Sequence, residues 1–250
     1  MTDFRLLRMF NQPEQRKHAR SRMRVGRASL ALFTGDNLFE KIIREIGAER
    51  IISLKEVCEA FEFFALTRKY LRAPVIADLC SGHGLVGILF AAAERKTTRV
   101  LLCDRRRPKN FDLMWNAARR AAPWIEDKVE YLVGDLAKTR DQLPQNCSIA
   151  AVHACGKLSD TSLEIASSVR GAAAVMPCCR DHTHNPGPLA VAQKLGGDLA
   201  YDIDRTYRME AAGYQVRWRD IPEEITPMNR VLIATPRSSI TAMPASEPAR

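Results

Sequence analysis

Residues 75–93 constrain the fold more than any other part of the chain. The apolar-dominated run Val75-Ile76-Ala77-Asp78-Leu79 enters a turn, Cys80-Ser81-Gly82-His83-Gly84, and continues directly into an apolar helical pattern over 85–93. A short apolar run bounded by a glycine turn reads as a buried strand, and the run behind it is long enough for a helix. The unit repeats downstream: strand 99–103, helix from about 111 to 122, strand 129–133, strand 149–153, helix 160–168 and strand 172–176. Such alternation builds parallel strands joined by helical crossovers. Beyond 202 the pattern changes to a helix over 202–212, a turn at Gly213-Tyr214, and strand-like runs 215–221 and 230–234. The loop 222–229 between those runs is short enough to make them an antiparallel pair. The expectation is an α/β fold: a seven-stranded, mostly parallel sheet with a C-terminal antiparallel hairpin and helices on both faces.

At 250 residues this is expected to be one domain, spanning 37–237. Helical patterns at 37–46 and 54–71 would cover one edge of its core, the second through Val57, Ala60, Phe61, Phe64 and Leu71. Residues 1–36 carry Arg16, Lys17, Arg20, Arg22, Arg24 and Arg27 and read as a basic N-terminal arm, mobile or ordered by a partner; 238–250, rich in Ser, Pro and Ala, reads as a disordered tail. A net charge of +9 favours a polyanionic partner, nucleic acid first. The seven cysteines lie in or beside apolar runs and are expected to be reduced thiols. No run approaches the roughly 18 apolar residues of a membrane span, and the first residues have no signal-peptide-like stretch. No membrane partner and a cytoplasmic location are therefore expected; nothing in the sequence speaks to oligomeric state.

Ligands of open parallel sheets bind beyond the carboxyl ends of the strands. There the glycine turn lets a ligand approach the backbone and offers free helix N–H groups. Its spacing, Gly82-x-Gly84-x-x-Gly87, also fits a dinucleotide fingerprint. The neighbouring acids separate the two readings. Asp78, ahead of the glycines, suits a cofactor with an ammonium and a sulfonium and would repel a pyrophosphate. Asp104, ending the second strand, stands where an acid accepts from ribose hydroxyls, and Asp135, with Leu136, stands where it would accept from an adenine amino group. Each alone is an ordinary strand-end residue; three on consecutive strands are much less so.

With these residues the sequence resembles the class I S-adenosylmethionine-dependent methyltransferases over about residues 55–235, with 78–84 at the first motif, Asp104 at the second and Asp135 at the third. The resemblance implies a Rossmann-like fold and S-adenosylmethionine as cofactor, held by Asp78, Cys80, Ser81, Gly82, Gly84, Asp104, Arg105, Asp135, Leu136 and His153. Cys80 stands where the family more often has glycine. Two further loops, His153-Ala154-Cys155-Gly156 and Pro177-Cys178-Cys179-Arg180, are similar to a narrower subfamily that includes the catalytic domain of eukaryotic tRNA acceptor-stem 2′-O-methyltransferases, as is Thr226-Pro227-Met228-Asn229. The zinc-binding modules of those enzymes have no counterpart.

Methyl transfer is an in-line displacement, so the protein has to position the acceptor and, for a hydroxyl or protonated amine, take its proton. His153 is the candidate base, because imidazole titrates near neutrality; the alternative is that it pins its loop or touches the cofactor's methionine end. Asp160 is a second candidate base, or a helix N-cap. Cys155, Gly156, Cys178, Cys179 and Arg180 are expected on the acceptor side. Cys155, Cys178 and Cys179 with His153, His182 and His184 offer zinc ligands without zinc-finger spacing, and no metal is expected. The Asn-Pro-Pro-aromatic loop of many base-modifying enzymes is absent, which favours acceptors other than exocyclic amines. Arg105, Arg106, Arg107 and Lys109, with the basic arm, form a candidate phosphate track for RNA. Three readings stay open: an RNA methyltransferase acting on a tRNA-like substrate at a ribose hydroxyl or a base, a small-molecule or protein methyltransferase, and a noncatalytic cofactor- or RNA-binding module. A nicotinamide enzyme is a distant fourth.

Overall fold

The computed structural model describes residues 2–177 and 188–237. Strands β1 (Val75–Leu79), β2 (Arg99–Asp104), β3 (Val129–Val133), β4 (Ser148–Ala151) and β5 (Ala173–Val175) are parallel, and β6 (Tyr214–Asp220) and β7 (Arg230–Pro236) add an antiparallel pair. The strand order is β3-β2-β1-β4-β5-β7-β6, the expected seven-stranded sheet. The order reverses at β1, so the carboxyl ends of β1 and β4 flank the crevice where open sheets bind ligands.

The alternation of side chains along each strand splits the core in two. Ile76, Val100, Leu102, Ala150, Ala174 and Ile233 face one layer; Ala77, Leu79, Leu101, Cys103, Ile149, Val175 and Leu232 face the other. The chain begins with two short helices, α1 (Pro13–Arg16) and α2 (Arg27–Leu30), followed by α3 (Leu38–Ala48), α4 (Leu54–Thr67), α5 (Leu85–Ala93) and α6 (Phe111–Ala121). The last four pack on the first face. After β3 come the single turn α7 (Leu136–Thr139), then α8 (Lys157–Ser168), α9 (Leu189–Leu195) and α10 (Gly197–Ala211). Leu163, Ile165 and Ala166 of α8 and Met209 of α10 close the second face. Ser53 starts α4 with a reciprocal capping box: its side chain accepts from Glu56 N, and the Glu56 carboxylate accepts from Ser53 N.

The reading of the N-terminal segment as a mobile arm is corrected by the structure. Phe4, Leu7, Phe10, Ala19, Val25 and Phe33 are buried in the first layer. Behind them the buried Glu62 carboxylate of α4 accepts the backbone N–H groups of Arg5, Leu6 and Leu7 at 2.7, 3.1 and 2.9 Å. Residues 21–25 then run against the start of α4, with Val25 N donating to Ile52 O, Leu54 N to Met23 O and Lys55 N to Ser21 O. Lys17, Arg20, Arg22, Arg24 and Arg27 are exposed on this layer while Arg16 pairs with Glu224, and the exposed charges are why the segment looks like an arm in the sequence.

Two boundaries move with consequences for the site. Strand β4 ends at Ala151, so His153 lies in the following loop. Helix α8 begins at Lys157 with Gly156 as its N-cap, so Asp160 sits inside the first turn and caps nothing. Helix α10 also begins earlier than expected, at Gly197 directly after Gly196, whose φ is +88°. The expected tail 238–250 and the candidate site residues Cys178, Cys179 and Arg180, with His182 and His184, lie outside the described residues.

Candidate active site

The turn after β1 is held from below and from one side. Cys80, Gly82 and Gly84 have φ of +57°, +51° and +73°; for Cys80, a residue with a Cβ, this costs on the order of 1 kcal/mol. Asp104 at the end of β2 reaches across, its Oδ2 accepting Gly82 N at 2.9 Å and its Oδ1 accepting Arg106 N at 3.3 Å. Tyr131 of β3, which the sequence did not single out, donates its hydroxyl to Gly82 O at 2.9 Å. The three glycines of the fingerprint therefore do different work. A Cβ on Gly84 or Gly87 would lie 2.5 or 2.3 Å from Leu102, so these two permit close packing of α5 on β2; a Cβ on Gly82 would meet nothing within 4 Å. Gly82 thus leaves the open cradle, and Ser81 Oγ beside it is buried without a hydrogen-bond partner. That open backbone, the orphaned hydroxyl and the carboxylate of Asp104 fit a nucleoside cofactor.

Asp78 takes a different place from the one expected. It is 3% exposed, and its Oδ2 accepts Gly87 N at 2.9 Å, tying the strand end to the first turn of α5. Burial, with a smaller contribution from Asp104, raises its pKa to about 7. It therefore supports the cradle from beneath and is not a fully ionised group facing the ligand, which weakens the electrostatic argument made for it from sequence. Cys80 is similarly pushed up to about 11, by burial and then by Asp104 and Asp78, so its thiol stays protonated at neutral pH. Asp135 at the end of β3 is exposed; its carbonyl caps α7, and its carboxylate makes no cap bond. Arg105 is exposed and Leu136 half-buried on the same rim.

His153 stands past β4 with its side chain 45% exposed, and its Nε2 lies 3.9 Å from Oε2 of Glu59. Glu59 belongs to α4 and is 1% exposed; its other oxygen pairs with Lys55, while Oε2 has no hydrogen-bond partner. Sequence reading missed Glu59, which with Lys55, Glu56 and Glu62 recurs at three- and four-residue spacing as an ordinary polar helix face, although Glu59 and Glu62 are both buried. Asp160, the other candidate base, is engaged elsewhere. Arg205 of α10 grips it with Nε to Oδ1 at 3.1 Å and Nη2 to Oδ2 at 3.0 Å, and Arg208 pairs with it as well. Arg205 also donates to Gly156 O and to Asp202, which in turn pairs with Arg230 of β7. This network fixes the loop after β4 against α10 and the last strand.

Beside it lies a cavity of about 490 Å³ whose lining includes Gly156, Lys157, Pro177, Tyr201, Met228 and Asn229. The loop 226–229 singled out from the sequence thus meets the loop after β4. Cys155 is disulfide-bonded, so the expectation of reduced thiols fails for it, while Cys58, Cys80, Cys103 and Cys147 are free. Among the described residues no group of three or more His, Cys, Asp or Glu side chains is arranged to hold a metal ion, and no helix is long and apolar enough to cross a membrane.

A parallel sheet with this strand order, a glycine cradle at β1 and an acid at the end of β2 define a Rossmann-like methyltransferase. A family model described as a methyltransferase domain matches residues 52–185, and the chain belongs to that family; its cofactor is S-adenosylmethionine. No curated protein matches the sequence. Among solved structures it is similar to the precorrin-6y C5,15-methyltransferase from Geobacter metallireducens (16% identity, 71% of this chain and 88% of that one, TM-score 0.47). It is also similar to a SAM-dependent methyltransferase from Aquifex aeolicus (16%, 78% and 96%, TM-score 0.45) and to a putative caffeoyl-CoA O-methyltransferase from Staphylococcus aureus (13%, 83% and 96%, TM-score 0.47).

Proposed function

We propose that this methyltransferase acts on RNA, at a ribose hydroxyl or a base of a structured, tRNA-like molecule, with His153 taking the acceptor's proton. The observation that carries the reading is the half-exposed imidazole past β4 with the buried Glu59 carboxylate 3.9 Å behind it. Bound S-adenosylmethionine supplies a methyl carbon already activated by sulfonium, so the chain has only to hold, orient and deprotonate. Gly82, Ser81 and Asp104 would hold the nucleoside, with Asp135 and Leu136 at the base and Arg105 on the rim. His153 receives the acceptor proton, and Glu59 stabilises the imidazolium as it forms. Lys157 and Asn229, across the cavity, orient the acceptor; Cys155, Gly156, Cys178, Cys179 and Arg180 belong to that side in this reading. The net charge of +9 and the exposed Arg105, Arg106 and Lys109 favour a phosphate-rich acceptor. The cavity of about 490 Å³ favours the second reading, a small-molecule acceptor, since its size falls in that range.

The test supplies radiolabelled cofactor and purified protein to RNA, protein and metabolite fractions from a strain lacking the gene. Label should enter RNA and be lost with His153→Ala while cofactor affinity is kept. Label confined to metabolites would overturn the RNA reading; cofactor binding with no label anywhere would favour a binding module.

A further inference from the structure

The N-terminal layer, folded rather than mobile, forms a cavity that the methyl-transfer site does not use. It measures about 480 Å³ and lies between residues 15–32 and the turn from α3 to α4. Arg24, Arg27 and Arg50 stand on its rim, and Ala28, Leu32 and Leu54 form its apolar part. All three arginines are exposed, and none makes an ion pair or a side-chain hydrogen bond among the described residues, whereas Arg16, Arg68, Arg107, Arg120 and Arg205 are ion-paired. No acidic side chain lines the cavity among the described residues. Arg50 has a φ of +52°, an uncommon conformation for a side-chain-bearing residue, and its guanidinium lies beside Gly26, its Nε 3.6 Å from where a Cβ on that glycine would be.

We infer that this cavity is a binding site for the phosphodiester backbone of RNA, with Arg24, Arg27 and Arg50 on the phosphates and the apolar part against an unstacked nucleoside. Unpaired guanidiniums around a partly apolar recess suit that ligand: phosphates draw the charges, and splayed bases of single-stranded segments seek apolar cover. The position suits it too. Arg24 forms a β-bridge with Ser53, the residue that caps α4, and the same helix carries Glu59 towards His153. His83 of the cofactor turn registers the neighbourhood: burial lowers its pKa, Glu56 opposes this, and Arg24 adds to the lowering. RNA seated here would pass on to the cradle side of the sheet. The inference rests on the RNA reading above.

The experiment measures binding of a fluorescently labelled RNA hairpin with a single-stranded tail, between 50 and 200 mM salt, to three proteins: the wild type, Arg24→Gln/Arg27→Gln/Arg50→Gln, and a charge-matched control, Arg95→Gln/Lys96→Gln/Arg170→Gln, exposed residues of the loops that lead into β2 and β5. The first variant should lose about tenfold or more in affinity at low salt and its salt slope should fall by about 2–3, one unit per phosphate contact, while the control loses far less. A fourth protein, Ala28→Trp, fills the recess without changing charge and should weaken binding with the slope unchanged. S-adenosylmethionine affinity and the melting temperature should be equal in all four. Equal losses in the two triple variants would reduce the effect to net charge and overturn this site alone. Wild-type protein that ignores the hairpin would overturn the RNA reading and the site together.

Discussion

Glu59 and His153 lie on elements far apart in the sequence, α4 and the loop after β4, yet the one oxygen of Glu59 that has no hydrogen-bond partner is 3.9 Å from His153 Nε2. That distance is longer than a hydrogen bond. The carboxylate is placed to orient the imidazole and to stabilise the charge that develops on it during proton transfer. Glu59→Gln keeps the shape and removes the charge. It should lower kcat by about 10–100-fold, less than the roughly 10²–10⁴-fold typical of the positioned acid–base group itself, with the cofactor Kd unchanged. In a His153→Ala background the same substitution should cost almost nothing more, as a double-mutant cycle on kcat would read. Additive losses would separate Glu59 from the histidine.

The glycine turn makes two opposite predictions. Gly84→Ala places a Cβ 2.5 Å from Leu102 Cδ1 at φ +73°, so it should destabilise the fold by about 2–4 kcal/mol, overpacking and strain together. Gly82→Ala meets no neighbour within 4 Å and should cost only about 1 kcal/mol of stability, from its φ of +51°. It should nonetheless weaken cofactor binding, because the methyl occupies the open cradle. Urea denaturation and calorimetric titration of the pair distinguish packing from ligand approach; similar stability losses would refute the division.

These two glycines also show how far the sequence could be read. The parallel sheet and its hairpin were legible because period-two burial on both faces leaves apolar runs such as Val100-Leu101-Leu102 that few other arrangements accommodate. The cradle was legible from Gly82 and Asp104, whose types are dictated by backbone conformation and a hydrogen bond. What stayed hidden depends on contacts between distant segments. Phe4, Leu7 and Phe10 are spaced among Arg5 and Arg8 in short turns, so no helical stripe announces that they are core. Tyr131 reads as an ordinary strand aromatic until β3 is set beside β2. Asp160 invites a capping or catalytic role until Arg205, brought in by α10, takes its carboxylate.

Asp78 should make stability fall with pH. Its folded pKa of about 7 lies above the usual value of 3.8, so the folded state holds a proton that the unfolded state has already released. Between about pH 4 and 7 the unfolded chain therefore binds fewer protons through this group, and its contribution to stability declines as pH rises, levelling off above about 7. Asp78→Asn has no such titration. Melting temperatures across this range should show a downward contribution in the wild type that is missing from the variant, whatever the variant's absolute stability. Parallel pH curves would mean that Asp78 titrates alike in both states.

Glu62 tests whether the N-terminal layer is part of the domain. Its buried carboxylate is the acceptor for three successive backbone N–H groups, those of Arg5, Leu6 and Leu7. Burial raises its pKa and these hydrogen bonds oppose the rise, so the layer is anchored by an interaction that only the assembled structure provides. Glu62→Ala leaves the three donors without their acceptor and should cost about 3 kcal/mol. The layer carries Arg5, Arg8, Arg16, Lys17, Arg20, Arg22, Arg24 and Arg27, all sites for trypsin in an extended chain. In the wild type the segment should resist brief digestion because its apolar residues are packed in the core, and Glu62→Ala should make it the first region cut, with the sheet still protected. Equally rapid cleavage of both proteins in this segment would show that the basic residues belong to a mobile arm after all.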